Sequence, residues 1–78
     1  MSMTAEQIEA RNFTYCSAFY PEQLSHGHFI VGTASRKEAL QRAHAFAEAT
    51  WGEPKHINVY PRTYVKEARS LYARGLHD

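Results

Sequence analysis

The sequence predicts a small α+β domain: a mostly antiparallel sheet in β-β-α-β-α order, with a long central helix packed on one face. Three observations carry that expectation. Residues 33–52, TASRKEALQRAHAFAEATWG, bear helix signals at both ends. The segments on either side are aromatic or β-branched and alternate in character, as half-buried strands do. Beyond Pro61 the apolar residues return to a helical period.

In the central helix, Ser35 and Glu38 form a capping box, the hydroxyl accepting from the first turn and the carboxylate reaching back. Gly52 supplies a residue able to sit left-handed at the far end, and Pro54 forbids resumption. Leu40, Ala43, Ala47 and Trp51 recur at helical spacing, with Ala39 and Phe46 on their flanks, so one stripe faces a core. Trp51 and Leu40 are therefore the positions where truncation is expected to cost most.

Taken in order, Thr4 to Gln7 can cap a short helix through about Ala10, or the start can be frayed. From Asn12 to Tyr20, Phe13, Tyr15, Ser17 and Phe19 alternate with Thr14, Cys16, Ala18 and Tyr20, which reads as a strand. A helix running on from Ala5 with Ile8, Tyr15, Cys16 and Phe19 on one face is the competing reading of the same residues. Residues 21–27 read as a loop with one turn at Glu22 to Leu24, followed by a second strand, HFIVGTA, antiparallel to the first. After the central helix, His56 to Tyr60 is a third short strand with Ile57 and Val59 toward the helix, and Pro61 ends it. Thr63 caps a last helix whose stripe is Tyr64, Val65, Ala68, Leu71 and Tyr72, with Arg69 and Arg74 toward its C-terminal end; Gly75 stops it.

The 78 residues make one domain with a thin core, which four phenylalanines, five tyrosines and one tryptophan help to fill. A lone cysteine, Cys16, cannot form an internal disulfide, and no export signal opens the chain, so the expected setting is cytoplasmic. No apolar run approaches the roughly 20 residues of a membrane helix. A formal charge of +1 excludes a globally basic nucleic-acid binder. The charge is uneven, however: Glu6, Glu9 and Glu22 face only Arg11 in the first thirty residues, whereas Arg62, Lys66, Arg69 and Arg74 meet only Glu67 in residues 62–74.

Catalytic machinery is hard to find in this pattern. His26-Gly27-His28, even with Cys16, His44 or His56, lacks the paired Cys-x-x-Cys or His-x-x-x-His spacing of zinc sites, and no metal or cofactor is expected. Cys16 reads as a buried core thiol. The glycines open no phosphate loop, and the carboxylates form no pair placed for acid-base work. The chain is therefore read as a non-enzyme. Binding is carried instead by Arg62, Lys66 and Arg69 at i, i+4 and i+7 on the last helix, with Tyr64 beside them. A second basic patch is Arg36-Lys37 at the N-terminus of the central helix.

Resemblances follow from particular residues. Gly32-Thr-Ala-Ser-Arg-Lys-Glu-Ala-Leu40 resembles the stretch that opens the last helix of double-stranded RNA-binding domains, where by that match Arg36 and Lys37 would hold phosphates. The chain departs from that family in having only two strands before the helix and a strand and helix after it. A similar turn occurs in HicB-like antitoxins. The β-β-α-β layout, with Trp51-Gly52 closing the helix before an Ile/Val strand, is similar to small phage-encoded anti-CRISPR proteins of type I systems. That resemblance implies a cytoplasmic inhibitor in a bacterial host that binds a CRISPR surveillance complex and blocks DNA binding or nuclease recruitment. The alternative is a small RNA- or DNA-binding module using the basic helix. Under the first reading the partner is a larger protein or nucleoprotein complex, and the chain is a monomer or, by edge pairing, a homodimer.

Overall fold

The computed structural model describes residues 6, 13–23, 25–32, 35–60 and 65–78. Strand β1 (Phe13–Tyr20) is followed by a 3-10 turn (Pro21–Gln23), strand β2 (Ser25–Gly32), helix α1 (Arg36–Trp51), strand β3 (His56–Val59) and helix α2 (Val65–Ala73). The order is the expected β-β-α-β-α. The sheet runs β2-β1-β3, and both pairings are antiparallel. Residues 13–20 are thus strand and not a continued helix. The short N-terminal helix lies outside the described residues apart from Glu6, which is helical and exposed.

Register decides which side chains share a face. Cys16 sits opposite Phe29 on one side and Val59 on the other; Ala18 sits opposite Gly27 and Ile57. Side chains at paired positions point the same way. Cys16, Ala18, Tyr20, Phe29 and Val31 therefore form one face, and they cluster with Ala39, Ala43 and Ala47 of α1, with Phe46, Trp51, Ile57 and Val59 packed around them. Ile57 and Val59 meet the helix as their sequence positions required.

Helix α1 begins where the cap signal placed it: the Glu38 amide donates to Ser35 Oγ at 3.2 Å. Gly52, at φ 101°, closes it. The buried line is the expected one at Ala43, Ala47 and Trp51 and departs from it only at its first position. Ala39, Ala43 and Ala47 are fully buried at strict i+4 spacing and lead to Trp51, while Leu40 is only half-buried. Alanine is favoured there because a methyl lets the helix lie close on an aromatic sheet, and Leu40 at the margin is no longer an expected weak point.

The second strand begins earlier than its sequence suggested. His26 and Gly27, expected in a loop, are paired with Phe19 and Ala18. Ladder pairing to the long β1 overrides the polar composition. Gly27 has a second reason for its place: a Cβ there would lie 2.6 Å from the Trp51 ring, so the indole seats on bare backbone.

The other sheet face is covered at one end by α2. Phe13 and Ile30 bury Ala68 and Leu71, with Tyr15, Tyr72 and Leu76 at the margin. The helix ends in a Schellman arrangement, with Leu76 N donating to Leu71 O at 2.9 Å and Gly75 N to Tyr72 O at 3.0 Å, Gly75 taking φ 78°. Arg74 stands at the C-cap, its amide donating to Ser70 O at 3.1 Å, as its expected place near the negative pole requires, whereas Arg69 lies in mid-helix. The chain then runs beside β2, where Ile30 N donates to Leu76 O and Asp78 N to Ile30 O. Asp78 finishes this strap, accepting from Gly32 N at 3.0 Å and lying 3.2 Å from Arg42 Nη1, which ties the C-terminal segment to α1.

Candidate functional site: the open face of the sheet

Beyond α2, the second face carries Tyr15, Ser17 and Phe19 from β1, His26 and His28 from β2, His56 and Asn58 from β3, and Tyr60 just after it. The registers Phe19 to His26, Phe19 to His56, Ser17 to His28 and Ser17 to Asn58 place them in rows. Tyr60 joins through its amide, which donates to Tyr15 O at 3.0 Å. His26, His28, His56 and Asn58 are exposed, and Tyr15, Phe19 and Tyr60 are half-buried.

The rings touch one another. Phe19 lies between His26 and His56, with centroids 4.8 and 5.3 Å away. Tyr15 lies between His28 at 5.8 Å and Tyr60 at 5.3 Å. His26 and His28 stack at 6.1 Å. Beneath them Ser17 is fully buried, with its Oγ 3.5 Å from the Tyr60 hydroxyl. The Tyr15 hydroxyl is 3.1 Å from His28 Nδ1, which it can serve as donor when the imidazole is neutral. Although the residue is exposed overall, partial loss of solvation around the His28 ring, and then the neighbouring His26, lower its pKa from the ordinary 6.5, which favours the neutral ring.

The surface has no acidic member among the described residues, although one cationic flank is present. Lys66 and Arg69 are exposed on α2, which packs on this same face, and Lys55 is exposed next to His56. Arg62 and Tyr64, the rest of the basic stripe read from the sequence, lie outside the described residues. Arg36 and Lys37 are exposed on α1, across the sheet from the rings, so the two basic patches do not form one surface.

The remaining chemistry is sparse. Cys16 is fully buried, its Sγ 3.6 Å from Thr14 O, and burial with a contribution from Asp78 pushes the thiol up to about 12, which removes it as a nucleophile near neutrality. Among the described residues no three His, Cys, Asp or Glu side chains converge as a metal site; Phe19 separates His26 from His56. A shallow depression of about 80 Å³ beside Tyr20, Gln23, His26, Gly27 and Trp51 is well below the few hundred Å³ of a ligand pocket. Among the described residues no helix is long and apolar enough to cross a membrane.

The sequence reading singled out the cations and missed the rings. Their signal was present in the alternation of Tyr15 with Phe19 and in the i, i+2 pair His26 and His28, but it became a surface only once residues 25–28 were in a strand. Comparison with family models, with curated proteins and with solved structures gives no match for this chain.

Proposed function

We propose that this chain is a small non-enzymatic binding protein that covers a site on a larger nucleoprotein assembly, and that its contact surface is the open, ring-covered face of the sheet. One observation carries the reading: Tyr15, Phe19, His26, His28, His56 and Tyr60 stand together at the surface. Aromatic residues are what interfaces enrich, and a strand-borne set is rigid before binding, which lowers the ordering cost. The inhibitor of a type I CRISPR effector implied by the sequence resemblance belongs to this class, with the contact moved from the basic helix alone to the face that helix borders.

The test is target-DNA binding by a purified type I effector complex in the presence of the protein. The wild type is expected to reduce it, Phe19→Ala and His56→Ala to relieve the block, and Arg36→Glu with Lys37→Glu to leave it intact. If Lys66→Glu and Arg69→Glu relieve the block while the ring variants do not, the basic helix is the contact. A wild-type protein without effect on the complex removes the CRISPR context.

A further inference from the structure

Resting on that reading, we infer that the open face is a stacking platform for unpaired nucleobases, and that the ligand it holds is single-stranded nucleic acid. Three observations on the same surface point to this chemistry. The first is the density and spacing of rings. Two rows, His26-Phe19-His56 and Tyr15-Tyr60, cross the strands with Ser17 and Asn58 between them, so successive rings along a strand are separated by multiples of about 6.8 Å. Every base has a π face; Phe19 is flanked by His26 and His56, so the rings offered to splayed bases are the exposed outer sides of this set and of the Tyr15-Tyr60 pair.

The second is the polar equipment between the rings. Asn58 is exposed in the middle row and presents both amide donors and a carbonyl acceptor, the set needed at a base edge. The three histidines offer one donor and one acceptor each when neutral. The third is charge. The face lacks a carboxylate among its described residues and is bordered by Lys66 and Arg69 on one side and Lys55 at the start of β3, while Glu53 before Lys55, Glu22 in the 3-10 turn and Glu67 on α2 are the acidic residues nearest in sequence to its margins. A polyanion can therefore lie along the border with its bases over the rings.

This placement also accounts for the near-neutral total charge. A binder that works through phosphates needs many cations, which this chain of net charge +1 lacks. A stacking platform takes most of its affinity from the bases and needs only a few phosphate contacts. A double helix hides its base faces and is excluded by the same geometry.

The test is fluorescence anisotropy with labelled 15-nucleotide oligo(U) and oligo(dT), and with a duplex of equal length, at two salt concentrations. Single strands are expected to bind and the duplex to bind far more weakly, with a salt slope of about −2, corresponding to two or three phosphates. Phe19→Ala and Tyr60→Ala should each weaken binding roughly tenfold, and Phe19→Trp should retain it. Since Phe19 and Tyr60 lie away from the α1 core, an unchanged thermal melt identifies the loss as one of binding. The inference is overturned by equal affinity for duplex, by Phe19→Ala binding as tightly as the wild type, or by no oligonucleotide binding at all. In the last case, loss of effector inhibition by the same ring variants would leave the face as a protein contact, so failure here is separable from failure of the binding-protein reading.

Discussion

Gly27→Ala tests the packing on which the sheet's two faces depend. The added methyl would stand 2.6 Å from Trp51 Cζ3 and 2.8 Å from Cε3 and Cη2, inside any tolerated contact. The indole cannot simply turn aside, because it is held among Tyr20, Phe29 and Phe46 with centroids 6.2, 5.8 and 5.9 Å away. Overpacking of this kind costs about 1 to 3 kcal/mol. Loss of glycine's freedom in the unfolded chain returns about 0.4 to 1 kcal/mol. Taken at the middle of both ranges, the net is a destabilisation of about 1.3 kcal/mol, which for a domain of this size lowers the melting temperature by roughly 5 to 10 °C. Thermal unfolding followed by circular dichroism measures it, and Trp51→Phe provides the control, since a smaller ring should absorb most of the clash. A Gly27→Ala protein that melts at or above the wild type, or the same loss in both backgrounds, would show that the indole does not seat on this backbone.

Tyr20 donates to Gly52 O at 2.7 Å and is within 3.3 Å of Ala47 O, so Tyr20→Phe should cost about 1 kcal/mol in urea unfolding by leaving the Gly52 carbonyl just past α1 without this donor. His28 is depressed by burial and by His26, so its folded form binds its proton less readily than the unfolded chain. Stability should therefore fall as pH drops below about 6.5, and His28→Gln should flatten that part of a melting-temperature profile. Cys16 should resist a thiol reagent at pH 8 in the native protein and react fully in denaturant; rapid native labelling would contradict its burial.

The fold was legible because its signals are local. Ser35, Glu38, Gly52 and Gly75 mark helix ends through the chemistry of a single turn, and the structure uses Ser35, Gly52 and Gly75 as the sequence implied. The site was less so. His26-Gly27-His28 has the composition of a loop, and only pairing with Phe19 and Ala18 across the β1–β2 hairpin turns both histidines to one side and the glycine to the other. The place of Ala39 rather than Leu40 at the start of the α1 stripe is likewise set by packing. Leu40 outranks Ala39 on any hydrophobicity scale, yet it is Ala39, with Ala43 and Ala47, that lies in the cluster with Tyr20 and Phe29 of the sheet.

These two corrections belong to one design. The close approach of α1, allowed by Ala39, Ala43 and Ala47, concentrates the core on one face of the sheet, where Phe29, Phe46 and Trp51 fill it. Helix α2 needs only the Phe13 and Ile30 end of the other face, and the Leu76 to Asp78 strap closes that end along β2. What remains is a three-stranded surface whose rings, Tyr15 apart, lie outside the two buried clusters. Phe19, His26, His56 and Tyr60 are held in place by the ladder beneath them, so substitutions there should alter binding before they alter stability. That separation is what a domain of 78 residues requires if it is to expose aromatic side chains to a partner and still retain a core.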